Sequence, residues 1–275
     1  MTRFAGLLRL AILIVLALAV VGCGRFGKRA DPLETLPVEA MYAEGKRALQ
    51  RGNYSRAEQY YQRLVARFPY GPYAEQAQIE LAYVQFKANK PDDATSTINR
   101  FIRTYPTHEH IDYAYYLKGL INFNRENLFL ERYLRLDTSL RDQGAVRQSF
   151  NDFAELIRRF PDSRYAPDAR QRMVYLRNHL ARHELNVGLY YLRRGALVAA
   201  ANRGQFIIEN YPQSGYQGDA LALMGEAYAR LGEDELAADT RRVLQLNHPD
   251  HPWLAGNWPR ERNLLRQLNP FAGER

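Results

Sequence analysis

Phe68-Pro69-Tyr70-Gly71-Pro72-Tyr73-Ala74-Glu75-Gln76-Ala77 is a phrase that this chain repeats. It returns as Phe160-Pro161-Asp162-Ser163-Arg164-Tyr165-Ala166-Pro167-Asp168-Ala169, and again as Tyr211-Pro212-Gln213-Ser214-Gly215-Tyr216-Gln217-Gly218-Asp219-Ala220. Looser copies begin at Tyr105-Pro106 and His248-Pro249. The five prolines stand at 69, 106, 161, 212 and 249, at intervals of 37, 55, 51 and 37 residues. Against a 37-residue unit the two middle intervals carry about 18 and 14 extra residues. A recurring period of this size marks a solenoid of stacked supersecondary units.

The phrase is a helix stop followed by a restart. Proline lacks an N–H and disfavours helical geometry in the residue before it, so a helix ends at the aromatic. Proline is tolerated in a first helical turn, where Pro72 and Pro167 fall. Each unit is therefore expected to be two helices with a tight turn inside. Small residues mark where the two helices cross. Gly45 and Ala57, Ala82 and Ala94, and Gly225 and Ala237 each lie 12 apart, and a proline follows 12 later. A Gly or Ala at a crossing lets two backbones approach. Turns are expected at Gly52-Asn53, at Asn89-Lys90-Pro91, at Gly195 and near Gly232, while Tyr54, Tyr61 and Leu64 fill a layer.

This spacing resembles the tetratricopeptide repeat, whose period is about 34. The fold expected is all-α, a right-handed superhelical solenoid of five tetratricopeptide-like helix pairs. Their bounds are about 38–74, 75–110, 111–163, 164–215 and 216–250. Repeat three has Gly119 on its first helix and then the extra residues, before a second helix over 145–160. Repeat four opens with 165–194, interrupted only by Gly188 and expected as one long helix, with a bend allowed. Alternating apolar–polar runs that would make strands are absent. The tail, 251–275, leaves the period. Trp253, Trp258, Leu264, Leu265, Leu268 and Phe271 are too apolar for a free coil, and a short helix near Arg260–Leu268 is expected to cap the last repeat or grip a partner. A solenoid needs such a cap.

The first residues read as an export signal. Arg3 and Arg9 precede Leu10–Val21, an uncharged apolar run of 12 residues, too short to span a bilayer comfortably. It ends in Val20-Val21-Gly22-Cys23, which resembles the bacterial lipobox with valine in place of the usual leucine. Cleavage after residue 22 makes Cys23 the lipidated N-terminus, and Gly24 then implies sorting to the outer membrane. Cys23 is the only cysteine, so no intramolecular disulfide can form. Loss of residues 1–22 removes two arginines and no acid, lowering the net charge from +8 to +6. Residues 23–37 are a lipidated cysteine and polar tether. Gly22, Gly24 and Gly27 satisfy G-x-G-x-x-G, but without the flanking strand and helix that a dinucleotide loop requires.

No catalytic motif stands out, and the chain reads as a non-enzyme. No nucleophile elbow, P-loop or catalytic cysteine is present. His179 and His183 are four apart without the H-E-x-x-H pattern, and His108, His110, His248 and His251 fall in loops between repeats. No metal and no cofactor is implied. The arginines are spread along solvated helix faces rather than in a stripe, which argues against nucleic acid.

A binding scaffold remains. In stacked helix pairs the first helices line the concave face. Positions expected there are Tyr42, Lys46 and Leu49, then Ile79, Tyr83, Phe86 and Lys87, then Tyr116, Leu120, Phe123 and Asn124. An aromatic groove with two lysines suits an extended peptide with large apolar side chains and an anionic end. Packing between helices is the other reading of these aromatics.

Local phrases go beyond the generic repeat. They are Arg67-Phe68-Pro69-Tyr70-Gly71-Pro72-Tyr73, Arg100-Phe101-Ile102-Arg103, Pro106-Thr107-His108 with Ile111-Asp112-Tyr113, and Arg194-Gly195-Ala196 with Asn202-Arg203. On these the chain resembles the lipoprotein family of the outer-membrane β-barrel assembly machine, earlier described as competence lipoproteins, over roughly 38–247. The insertion departs from the family's Asp-Arg-Ser-Asp-Arg-Asp, reading Asp137-Thr138-Ser139-Leu140-Arg141-Asp142. The resemblance implies a scaffold on the periplasmic face of the outer membrane, held by the N-terminal lipid. Its N-terminal repeats would receive targeting segments of unfolded outer-membrane β-barrel proteins. Its C-terminal repeats would hold the barrel subunit's periplasmic domain and accessory lipoproteins, through Arg194, Asn202, Arg203, Asp137 and Arg141. The alternative for Arg203 is an intramolecular ion pair. The alternative for the whole is a repeat lipoprotein tethering peptidoglycan enzymes to the envelope.

The lipidation reading is tested by labelling cells with radioactive palmitate. Wild type should incorporate label and Cys23→Ala should not; equal incorporation removes the anchor.

Overall fold

A computed structural model describes residues 35–126 and 143–259. The signal peptide, Cys23, the tether, the insertion with Asp137 and Arg141, and the helix expected near Arg260–Leu268 lie outside the described residues. Within them the chain is all helical. In order the helices are α1 (Val38–Gln50), α2 (Tyr54–Arg67), α3 (Pro72–Lys87), α4 (Pro91–Thr104), α5 (Ile111–Glu126), α6 (Gly144–Arg159), α7 (Ala166–Arg193), α8 (Leu197–Asn210), α9 (Gln217–Leu231) and α10 (Asp234–Asn247). A 3-10 turn follows at Pro252–Ala255. Two units are distinguished, Met1–Asn89 and Lys90–Arg275, which places α1–α3 in the first and α4–α10 in the second.

The repeated phrase does what proline chemistry requires. Phe68, Tyr105, Phe160, Tyr211 and His248 end α2, α4, α6, α8 and α10, each with φ between −124° and −141° and ψ between 53° and 76°. Each donates its N–H to the carbonyl four residues back, on Leu64, Phe101, Leu156, Ile207 or Leu244. All five acceptor residues are completely buried, so the stop is fixed by the core as well as by the proline. The turns inside pairs take left-handed backbone, at Gly52, Gly195 and Gly232 and, without glycine, at Asn89 with φ 59°.

In the first unit each helix packs on its chain neighbour, and α1 also reaches α3. Its core is built from Met41, Ala48, Ala57, Tyr61, Leu64, Ala74, Ala77, Leu81 and Val84. The second unit repeats the scheme from α4 to α10, with α7 also meeting α9. Glycines set the crossing distance. A Cβ at Gly45 would come within 2.8 Å of the Tyr61 ring, and one at Gly119 within 2.5 Å of the Phe153 ring. At Gly188 the Leu223 side chain and the Arg203 Cβ fill that space, and α7 runs through Gly188 as one helix of 28 residues.

The last pair closes differently. Arg241 follows Gly225 by 16 residues, the same interval that separates Tyr61 from Gly45. An arginine cannot fill a glycine notch with a ring, and the tail supplies one. A Cβ at Gly225 would come within 2.7 Å of Trp253. The Arg241 guanidinium lies 5.4 Å from the centre of the Trp253 ring, and its Nη2 donates to the Leu254 carbonyl at 3.2 Å. Trp253 Nε1 donates to Glu226 at 3.0 Å, and Trp258 Nε1 to Asp219 at 2.6 Å. Burial raises the Glu226 carboxyl, but hydrogen bonds from Trp253 and Arg230 and the Arg230 charge outweigh it and hold the group below its usual range. The stability from this group is therefore present above the unfolded-state pKa and is lost as pH falls through the lower folded-state value.

Gly119→Ala should overpack the α5–α6 crossing by about 1–3 kcal/mol, against about 0.5–1 kcal/mol recovered from helix propensity. Thermal unfolding should show a lower Tm. Gly215→Ala, where an added Cβ meets nothing within 4 Å, is the control and should leave Tm in place.

Candidate binding surfaces

In the first unit α1 presents Tyr42 and Lys46, and α3 presents Tyr83, Phe86 and Lys87. Tyr42 is half-buried. Its hydroxyl hydrogen-bonds with Glu80 and with Gln76, and burial first, then the Glu80 charge, pushes its pKa up to about 12. Its ring lies 6.0 Å from Tyr61 and 5.6 Å from Tyr73. Tyr42 is thus the tie between α1 and α3, and its ring forms a floor rather than a free side chain. Lys46 is exposed, with Nζ 5.8 Å from the centre of that ring. Lys87 is exposed, with Nζ 6.0 Å from the Tyr54 ring. Among the described residues neither lysine has an ion-pair partner. Tyr83 and Phe86, both half-buried, sit 6.5 Å apart on α3. Nearby in sequence, Tyr70 is 88% exposed. An ammonium resting over an aromatic face, without a carboxylate, keeps its donors for an incoming anion.

In the second unit a tyrosine again meets a carboxylate, and an arginine closes over the neighbouring ring. Tyr116 on α5 donates its hydroxyl to Asp168 at 2.6 Å and stacks on Tyr165, with centroids 4.8 Å apart and planes 16° apart. Burial raises the Asp168 carboxyl, but bonds from Arg172 and Tyr116 and the Arg172 charge prevail and lower it. Phe123 lies 6.4 Å from Phe153 and 5.8 Å from Tyr175, with the Arg172 guanidinium 4.8 Å from its ring centre. Both residues tie α5 to α6 and α7. The packing role that the sequence left open is the one seen for both Tyr116 and Phe123.

Arg203, on α8, meets an internal carboxylate. Its Nη1 donates to Glu184 on α7 at 2.7 Å, and Arg147 Nη2 lies 3.5 Å from the other oxygen of Glu184. The Glu184 side chain is 3% exposed and that of Arg203 is 39% exposed. A buried carboxylate needs a cation, so the expected partner anchor is first an intramolecular one. Arg194 caps α7, with its guanidinium 5.5 Å from the centre of the exposed Tyr190 ring. Asn202 is exposed on α8 between Val198, 60% exposed, and Phe206, 36% exposed. These three residues are spaced four apart and share one helix face. Glu184, Val198 and Phe206 were not singled out from sequence. A second apolar stripe on α8, offset from buried Ala200, Gly204 and Ile207, is the signal that marks the last two.

Among the described residues no helix is long and apolar enough to cross a membrane, and no group of three or more His, Cys, Asp or Glu is placed to hold a metal ion.

The model of the YfiO family, described as an outer membrane lipoprotein, matches residues 34–244. The chain is 52% identical over 267 residues to the outer membrane protein assembly factor BamD of Xylella fastidiosa (strain 9a5c), covering 97% of this chain and 91% of that protein. It is 42% identical over 253 residues to the protein of the same name from Neisseria meningitidis serogroup A, covering 91% and 95%.

Arg203→Ala leaves buried Glu184 with Arg147 alone, 3.5 Å from one of its oxygens. Stability should fall by about 1–3 kcal/mol, the cost of an unsatisfied buried polar group. Denaturant unfolding measures it, and an unchanged midpoint would show that Arg147 alone satisfies the carboxylate.

Proposed function

Because the chain belongs to the YfiO family of outer membrane lipoproteins, we propose that it acts as an outer-membrane protein assembly factor of the Bam complex, a scaffold for the insertion of β-barrel proteins. The observation that carries this reading is the 52% and 42% identity, over nearly the full length, with two proteins named as that factor. In this reading acyl chains on Cys23 hold the chain to the periplasmic face of the outer membrane. Several acyl chains on one residue anchor stably, since two already suffice.

The α1 and α3 surface receives C-terminal segments of unfolded barrel proteins. Tyr83 and Phe86 give apolar contact, and Lys46 or Lys87 meets the terminal carboxylate. The absence of an ion-pair partner for either lysine among the described residues supports this assignment. The tight intramolecular engagement of Tyr116 and Phe123 narrows the peptide surface to the first unit. The face of α8 around Asn202, flanked by Val198 and Phe206, docks the barrel subunit's periplasmic domain, together with Arg194 at the C-cap of α7. Arg203 contributes there through the exposed part of its side chain. Asp137 and Arg141 complete the expected contact, and accessory lipoproteins bind the C-terminal repeats.

An affinity pull-down from detergent-solubilised envelope should recover the barrel subunit. A photo-crosslinker at position 83 or 86 should capture barrel-protein C-terminal peptides; capture only from the second unit would place that site elsewhere. Lys46→Ala or Lys87→Ala should weaken peptide binding by no more than about 1 kcal/mol, because an exposed ion pair is worth little.

A further inference from the structure

One carboxylate in the second unit is served by two arginines, and they serve it unequally. Glu184 on α7 is buried. Arg203 Nη1 donates to its Oε2 at 2.7 Å, while Arg147 Nη2 stands 3.5 Å from its Oε1. A bonded arginine–carboxylate pair closes to about 2.7–2.9 Å, so Arg147 attracts Glu184 without completing the bond. Arg147 also donates to the hydroxyl of Tyr211, the buried C-cap of α8. Three helices thus meet on one acid, α6 through Arg147, α7 through Glu184 and α8 through Arg203.

The stem of Arg203 is seated and its head is not. A Cβ at Gly188 on α7 would lie 3.1 Å from the Arg203 Cβ, so the glycine lets the stem lie against that helix. The side chain is nevertheless part-exposed, and among the described residues Glu184 is the one acceptor it bonds. A guanidinium carries several N–H donors in a planar fork, so most of its capacity is unused. Turning Arg203 outward meets one physical obstacle. A buried carboxylate left without a cation is costly. Arg147, half-exposed and already beside the other oxygen, removes that obstacle.

We propose that Glu184 and Arg147 form a relay that releases Arg203: Arg147 closes on Glu184 as Arg203 turns to a carboxylate on the docking partner. The inference rests on the reading that this part of α8 docks the barrel subunit's periplasmic domain. In the free chain Glu184 competes with the partner and holds Arg203 against α7. In the complex Arg147 keeps Glu184 paired. Glu184 bonds Arg203 through a single nitrogen. A partner carboxylate approached freely can take two parallel bonds from the same fork, which favours the exchange. Arg147 is a positioning residue in this scheme. It acts through Glu184 and needs no contact with the partner.

The test titrates the barrel subunit's periplasmic domain onto the full-length chain in detergent. Arg147→Gln should weaken binding at least about tenfold, because releasing Arg203 then bares a buried charge. Glu184→Gln keeps the shape and removes the charge. It should tighten binding about threefold or more, since a bond to a neutral acceptor holds Arg203 less firmly. The pair Arg147→Gln with Glu184→Gln should bind at least as well as the unaltered chain, because no charge at 184 is left to neutralise. A direct contact from Arg147, or a purely structural role, would leave that pair as weak as Arg147→Gln alone, and this outcome overturns the proposal. Unchanged binding by Arg147→Gln, or weaker binding by Glu184→Gln, overturns it as well. No binding by the unaltered chain removes the docking reading itself, and the relay with it.

Discussion

Helices in this protein approach one another where a glycine leaves a notch and a larger side chain fills it. Tyr61 over Gly45, Phe153 over Gly119 and Trp253 over Gly225 are three forms of one contact. The contact sets the distance between the helices, and that distance decides which of the remaining side chains become buried. It also explains a price in polarity: among the described residues the buried Tyr61 hydroxyl has no hydrogen-bond partner, and burial raises its pKa. A hydroxyl without a partner costs free energy that a phenylalanine ring would not, so the fit of the ring must offset it.

The second unit adds buried charge to this scheme. Asp152, 2% exposed, accepts from Asn122 at 2.7 Å and Gln148 at 2.9 Å and meets Lys118 at 2.9 Å. Glu184 draws Arg203 from α8 and Arg147 from α6. Buried ion pairs add little net stability, but each is costly to break. Here each one joins helices from different pairs or the two helices of one pair, so a slipped register would strand a carboxylate without its cation. The result is a stack whose order is specified by charge as well as by shape.

The same physics separates a binding surface from a packing surface. On α1 and α3 the lysines rest over rings and remain exposed. On α5 and α7 an arginine and an aspartate close over the rings, Arg172 over Phe123 and Asp168 on the Tyr116 hydroxyl. Tyr42 and Tyr116 both bond a carboxylate, on Glu80 and Asp168, so what separates the two surfaces is the cation beside the rings: Lys46 over Tyr42 stays exposed, whereas Arg172 over Phe123 is paired with Asp168.

The order of the elements was written in the chain. A proline after Phe68, Tyr105, Phe160, Tyr211 and His248 forbids the helix to continue, whatever surrounds it, and those five residues are the helix ends observed. The glycine notches were legible because no other residue leaves such space, and α7 was legible as one long helix because 165–194 holds no proline after Pro167. The occupants of the notches were not all legible. Nothing local tells that Trp253, and not a residue of α10, reaches Gly225, because that contact closes a loop of 28 residues. The candidate surfaces divide in the same way. Arg203 was visible as an arginine on α8, but its pairing with Glu184 depends on how α7 lies against α8, and Tyr116 was visible as a ring but not as the donor to Asp168. Backbone stops follow from covalent geometry and are fixed residue by residue, whereas a partner for a charge or a ring is a matter of distance across the packed helices, which only the tertiary structure decides.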